Sequence, residues 1–144
     1  MDRRTRNRIC VWLIILGLSN FILYAIVYSI IGGDAPNGYI KNVEGKTVYY
    51  VCGHFVHRQV GYEQDVPRGV WIYSYLHSIS IWPSIAAVLL AMLMLARPHI
   101  MATYQKGIMT GATLVTVMAT VIVLVTSTAL ILFVVDFIRH IVPG

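Results

Sequence analysis

The chain has 144 residues, of which 58% are hydrophobic and only 12% are charged, and its formal net charge is +5 at pH 7. Soluble domains are typically about 45–50% apolar and about 25% charged. This composition excludes an ordinary soluble domain and predicts an integral membrane protein whose main surroundings are the lipid bilayer.

Three stretches without a charged residue are long enough to cross a bilayer, over residues 10–32, 69–96 and 107–135. A spanning helix needs roughly 20 mostly apolar residues, and runs this long are typical of helices rather than of barrel strands. The first run is too long for the apolar core of a usual signal peptide, so we expect it to be retained. We therefore predict an all-α membrane protein with three transmembrane helices, over 10–32, 69–96 and 107–138.

Basic residues predict the orientation of these helices. The segment 1–9 carries four arginines, and Arg97 and Lys106 flank the turn 97–106. Because basic residues concentrate on the cytoplasmic side, we expect the N-terminus and this turn in the cytoplasm, with a bacterial inner membrane as the expected location. The loop 33–68 and the tail 139–144, with the C-terminus, are then extracytoplasmic. Neither basic cluster contains the interleaved aromatic residues of a nucleic-acid reader, so no nucleic acid partner is expected.

The extracytoplasmic loop contains the pattern of a small β-hairpin. Its strands are predicted within residues 38–52, around a turn at Glu44 and Gly45, where glycine supplies a positive φ. A lone two-stranded hairpin is marginal in water, so it must rest on the helix ends, on a second copy or on a partner. Aromatic residues often anchor protein interfaces. The loop therefore offers a candidate docking surface made of Tyr49, Tyr50, Phe55 and Tyr62.

Cys52, His54 and His57 form a C-x-H-x-x-H pattern in the same loop. Zinc sites usually have about four ligands at recognisable spacings, and in an extended strand His57 faces away from the other two. A metal site is therefore the weaker interpretation, and ordinary loop residues are favoured. The bilayer separates Cys52 from Cys10, which excludes a disulfide between them. Burial of the Cys52 thiol is favoured over pairing with another chain.

The second predicted helix begins with a polar stretch, since residues 71–84 read WIYSYLHSISIWPS. The helix is longer than the ~30 Å hydrocarbon core, so its aromatic start belongs at headgroup level. Pro83 removes one backbone hydrogen bond and predicts a bend. His77 then lies near the outer boundary, where a histidine is either a hydrogen-bonded interfacial residue or a ligand of haem, chlorophyll or quinone.

Small residues recur at helical spacing on two of the predicted helices. Membrane helices approach closely along such stripes, because lipid gives little hydrophobic drive for association. We therefore expect both stripes to face the interior of the bundle. They are Ser80, Ser84, Ala87 and Ala91 on the second helix, and Gly107, Gly111, Thr116 and Thr120 on the third.

Asn20 is the one amide near the middle of the first predicted helix. An unpaired amide at that depth is costly, and polar groups inside a membrane therefore tend to face the bundle. We predict that Asn20 points inward and forms a hydrogen bond with Ser84, Thr116 or Thr120.

The sequence favours association over catalysis. It contains no serine–histidine–aspartate spacing, zinc-protease motif or phosphate loop, so neither an enzyme activity nor a cofactor is expected. We expect an accessory or structural subunit of a larger membrane complex, or a homo-oligomer, whose partners are other membrane-protein subunits or copies of the chain. Two alternatives stay open: a cofactor-binding subunit that uses His77, and an oligomeric channel or carrier.

Overall fold

The computed structural model describes residues 2–53, 63–105 and 109–141. Most of these residues belong to the helices α1 (Arg3–Ile31), α2 (Arg68–Thr103) and α3 (Gly111–Ile141). Between α1 and α2 lie the strands β1 (Asp34–Val43), β2 (Lys46–Cys52) and β3 (Glu63–Val66). All three helices are long and apolar enough to cross a membrane. The prediction of a mostly helical membrane protein with three candidate spans is therefore confirmed.

The helix bounds differ from those of the predicted spans, and local capping explains part of the difference. α1 begins before residue 10 because the Asp2 carboxylate accepts a hydrogen bond from the Arg4 backbone N–H at 3.1 Å. α3 begins after Thr110, whose hydroxyl accepts from the Thr113 backbone N–H at 3.3 Å. α2 runs beyond residue 96 and contains both Pro83 and Pro98.

The segment between α1 and α2 forms a three-stranded antiparallel sheet in the order β1-β2-β3, and not only the predicted two-stranded hairpin. Glu44 and Gly45 form the predicted turn, and both have a positive φ (52° and 79°), as a type I′ turn requires. β3 was not predicted because its four residues, EQDV, lack an alternating apolar pattern and have low strand propensity. Pairing with β2 makes this segment a strand.

The sheet rests on the ends of the helices. Its core consists of Ala35, Val51, Trp71 and Tyr75, each no more than 1% exposed. Partly buried side chains surround this core and come from all three helices and all three strands: Ile31, Ile40, Tyr49, Val66, Ile72, Ile79, Phe137 and Ile141. The hairpin was expected to rest on the helix ends, on a second copy or on a partner. Within this single chain, it rests on the helix ends.

α2 lies between the other two helices and makes the main contacts with both of them. Toward α1, it offers Ser84 and Val88, against which Gly17 packs. Toward α3, it offers aromatic rings: the Trp82 and Phe133 ring centroids are 5.5 Å apart. Because α1 and α3 have almost no direct contact, the helices form an open layer rather than a closed bundle.

The two ends of this layer have different chemistry. The arginine-rich start of α1 and Arg97 of α2 lie at one end, which we call the basic end. The sheet, the start of α2 and the last turn of α3 lie together at the other, which we call the sheet end. The sheet is therefore on the opposite side of the layer from the first residues of the chain.

Gly17 provides a test of the contact between α1 and α2. A Cβ added there would lie 2.3 Å from Val88 Cγ2 and 3.2 Å from the Ser84 carbonyl oxygen. We expect Gly17→Ala to lower the free energy of unfolding by about 1–3 kcal/mol, because the helices must separate to fit the methyl group. Unfolding in mixed micelles with increasing dodecyl sulfate, followed by circular dichroism, measures this change.

Gly69→Ala is the matched control, since no atom of the described residues lies within 4 Å of a Cβ at that helical position. It should leave stability unchanged or raise it by up to about 1 kcal/mol, because alanine is the better helix former. Equal effects of the two substitutions would show that α1 does not pack on α2 through Gly17.

Candidate functional site at the sheet end

A buried carboxylate, Asp34, organises a polar cluster where α1 meets the sheet. It is 6% exposed. The Tyr24 hydroxyl donates to its Oδ2 at 2.8 Å, and the Asn37 side-chain amide donates to its Oδ1 at 2.6 Å. Both carboxylate oxygens therefore accept hydrogen bonds from neutral groups. Tyr24, Asp34 and Asn37 also line a half-open cleft of about 370 Å³ on the surface of α1.

Serines of α2 hold the start of β1 against the helix. The Ser74 hydroxyl accepts a hydrogen bond from the Ala35 backbone N–H at 3.1 Å. Ser78, one turn further along, donates to the Ser74 carbonyl at 3.0 Å. Both serines are buried. These bonds satisfy polar groups that the sheet covers, and they fix Asp34 close to Tyr24.

His77 lies beside this cluster but takes no part in its hydrogen bonds. It is 8% exposed, and within the described residues neither ring nitrogen has a hydrogen-bond partner or an accessible surface. Its ring lies edge-on between Tyr24 and Tyr73, with centroids 5.5 and 5.6 Å away. A haem or chlorophyll ligand must present a nitrogen lone pair to the metal. Ligation by His77 would therefore require these tyrosine rings to move.

A second group of polar side chains lies between α2 and α3. The Tyr75 hydroxyl donates a hydrogen bond to Asp136. His140 lies 3.7 Å from the same carboxylate and packs against Trp71, with ring centroids 5.9 Å apart. Trp71 itself is buried, and its indole N–H has no hydrogen-bond partner in the described part of the chain. Asp136 thus couples the last turns of α3 to the aromatic core under the sheet.

The structure describes only one of the three predicted metal ligands. Cys52 ends β2 opposite Glu63, whereas His54 and His57 lie outside the described residues. Among the described residues, no group of three or more histidine, cysteine, aspartate or glutamate side chains could hold a metal ion.

Burial raises the pKa of the Cys52 thiol, and the negative charges of Glu63 and Asp34 raise it further. The thiol is therefore held in its protonated, less nucleophilic form.

The predicted docking residues separate onto two faces of the sheet. Tyr49 packs inward on Trp71, with ring centroids 5.7 Å apart, so it belongs to the core rather than to an exposed surface. Tyr50 stacks on Tyr39 instead, at 4.9 Å. Tyr39 donates to Glu63 across the sheet at 2.7 Å, and this bond raises its pKa to about 12. Phe55 and Tyr62 lie outside the described ranges.

Asn20 points inward and bonds to α2. Its side-chain N–H groups donate to the hydroxyls of Ser84 at 2.9 Å and Ser80 at 3.1 Å. Each serine hydroxyl also donates to a carbonyl of its own helix, that of Ser80 to His77 and that of Ser84 to Ser80. The predicted bond to Ser84 is present, whereas Thr116 and Thr120 bond only to carbonyls of α3.

The two predicted stripes of small residues do not face each other. Ser80 and Ser84 face α1, while Thr116 and Thr120 are exposed on the outer side of α3. Ala91 is buried and Ala87 is half-buried. Gly111 packs on the end of α2, where a Cβ would lie 2.9 Å from the Ile100 carbonyl oxygen. Gly107 lies outside the described part of the chain.

Two of the most important residues, Gly17 and Asp34, are absent from the residues predicted from the sequence. Gly17 precedes Asn20 by three positions and Tyr24 by seven, so all three share one helix face. A search for small and polar residues on the first helix would have found this face. Asp34 has no such signal, because its burial depends on the start of β1 docking on α2 and meeting Tyr24.

No protein-family model matches the chain, and no curated protein or solved structure matches it either. Its function must therefore be argued from the geometry and chemistry described above.

A double-mutant cycle tests the bond between Asn20 and Ser84. Interhelical hydrogen bonds in membranes average about 0.6 kcal/mol and reach about 1.7 kcal/mol. We expect the changes in unfolding free energy for Asn20→Ala and Ser84→Ala to be non-additive by an amount in this range. A cycle between Asn20 and Thr120 should give no coupling. Coupling to Thr120 instead of Ser84 would mean that α1 packs on α3.

The pH dependence of Cys52 alkylation tests the electrostatics of the sheet. In a Cys10→Ser background, we expect a lower iodoacetamide rate at pH 8 than for an unfolded thiol, because a raised pKa reduces the thiolate fraction. Glu63→Gln removes a negative charge, so the rate–pH midpoint should fall. Asp65→Asn, at an exposed position of the same strand, should leave the midpoint in place. A midpoint unaffected by Glu63→Gln would contradict this arrangement.

Proposed function

We propose that this chain is a small integral membrane protein that works by association, as an accessory or structural subunit of a larger membrane complex or as a homo-oligomer. The observation that carries the proposal is the outward position of the polar stripe on α3. Thr113, Thr116, Thr120 and Ser127 are all exposed in the single chain. Small residues at such spacing are what allow membrane helices to approach one another.

The exposed surface of α3 has two unlike flanks. At 100° per residue, Thr113, Thr116, Thr120 and Ser127 fall on one flank, while Met118, Val121 and Val125 fall on the other. The Thr116 and Thr120 hydroxyls bond to carbonyls of α3, so the threonine flank tolerates lipid. It also suits a second helix, since the short side chains let the backbones come close.

The open layer also supports association. Within the described residues, α3 makes its main helix contacts with α2, through aromatic contacts such as Tyr75 with Phe137 at 5.1 Å. Its opposite side is therefore free to meet another membrane-spanning helix.

The two alternatives have less support. Cofactor ligation by His77 needs an accessible ring nitrogen, and both nitrogens are covered. A channel or carrier needs an enclosed path with polar or charged lining. Residues 10–32, 69–96 and 111–135 contain no charge, and the layer of three helices is open.

The proposed location follows from the basic end. The positive-inside rule places this end, with the N-terminus, in the cytoplasm, and places the sheet and the end of α3 outside. We propose a bacterial inner membrane as the membrane that holds it.

Substitutions on the threonine flank test the proposal. We expect Thr116→Leu with Thr120→Leu to convert the assembled protein into monomers, because the larger side chains keep the partner backbone away. Single-molecule photobleaching of the tagged chain in native membrane vesicles counts its copies, and native gel mobility in a mild detergent reports any mixed complex.

The control pair, Val121→Leu with Val125→Leu, enlarges two side chains on the other flank of the same helix and should leave the assembly intact. The proposal fails if the wild-type chain is monomeric and without partners in native membranes. It also fails if the two double variants assemble equally well.

A further inference from the structure

The cleft beside Asp34 lies at the depth of a lipid headgroup. About 20 helical residues cross the ~30 Å hydrocarbon core, which places the boundary near Ser29 if the span starts at Cys10. Tyr24, Tyr28 and Asp34 line the cleft, which is half-open and has a volume of about 370 Å³. The rings of Tyr24 and Tyr28 lie 6.1 Å apart. The cleft thus combines aromatic walls with one carboxylate.

The charge of Asp34 has no cation beside it within the described residues. The donors to its oxygens, Tyr24 and Asn37, are both neutral, and the only described ion pair joins His140 to Asp136. A buried carboxylate without a cationic partner is unfavourable, and binding a cation relieves that penalty. Tyrosine faces also attract cations. The cleft therefore fits a positively charged group.

An apolar groove begins where the cleft ends. It has a volume of about 180 Å³, lies between α1 and α2, and is lined by Gly17, Leu18, Ile85 and Val88 among others. Phe21 lines both the groove and the cleft, so the two are adjacent along α1. A ligand that fills both must carry a cation at one end and a hydrocarbon chain at the other.

We propose that the cleft and groove bind one phospholipid with an amine headgroup, of the phosphatidylethanolamine class. Its ammonium group binds to Asp34 beside the tyrosine rings, and one acyl chain lies in the groove past Phe21. A phospholipid with an uncharged headgroup alcohol, such as phosphatidylglycerol, brings only a negative charge to Asp34 and is disfavoured. This lipid site is on α1, so it does not depend on association through α3.

Lipid titration of the delipidated protein, followed by native mass spectrometry, tests the site. We expect the wild-type chain to bind phosphatidylethanolamine about tenfold more tightly than phosphatidylglycerol, the effect of one charge-assisted hydrogen bond. Asp34→Asn should abolish this preference. Asp65→Asn removes an equal charge from an exposed position on the sheet and should keep it. Equal binding of both lipids by the wild-type chain would overturn the proposal.

A second variant covers the case in which Asp34→Asn fails to fold. Ala25 is exposed and lines the cleft, so Ala25→Trp should fill it and weaken phosphatidylethanolamine binding. Leu16 is 62% exposed on the same helix and does not line the cleft, so Leu16→Trp should bind lipid normally. Unchanged binding by Ala25→Trp, with helical content retained, would overturn the proposal.

Free ethanolamine distinguishes a lipid from a soluble amine. Because the acyl chain contributes binding in the groove, millimolar ethanolamine should not displace the phospholipid. If free ethanolamine displaces the phospholipid at a concentration close to the dissociation constant of the lipid, the cleft recognises a free amine and the lipid assignment is wrong.

Discussion

The arrangement of this protein depends on α2, which packs against α1 on one face and against α3 on another. Toward α1, its serines accept hydrogen bonds from Asn20, and its backbone comes close enough to Gly17 that no side chain fits between them. Toward α3, it packs aromatic rings such as Trp82 on Phe133. In a membrane, burial of apolar surface gives little drive for association, so close packing and paired polar groups must hold the helices together. The α1 side provides both within the apolar span, and the α3 side combines ring packing with the hydrogen bond from Tyr75 to Asp136 at the sheet end.

The sheet adds a further constraint at one end of the layer. Its core side chains, Val51 and Ala35, are buried against Trp71 and Tyr75 at the start of α2. This contact gives a small sheet the hydrophobic support that it lacks alone. It also folds the first residues of β1 back along the helices, and this brings Asp34 to Tyr24. The polar cluster and the cleft beside it are consequences of how the sheet docks.

Two sets of residues that the sequence predicts on a shared surface lie on different surfaces in the fold. The serines of α2 and the threonines of α3 have the same helical spacing, and both types suit close helix contacts. Spacing identifies a face, but it does not say which neighbour that face meets. In the fold, Ser84 meets α1 and Thr116 faces outward. Tyr49 and Tyr50 are similar in sequence context, yet the alternation of a strand sends the first into the core and the second to the outer face.

The sequence by itself determined the class of this protein and the number of its spans, because long uncharged runs have few stable states other than a helix across lipid. It also determined the turn at Glu44 and Gly45, and the inward position of Asn20, since these depend on local conformation or on the cost of an unpaired amide. Only the tertiary structure decided that β3 joins the sheet, that Asp34 is buried, that the nitrogens of His77 are covered and that the threonines of α3 face outward. Each of these outcomes depends on contacts between residues far apart in the chain, and no local pattern in the sequence records which distant surfaces will meet.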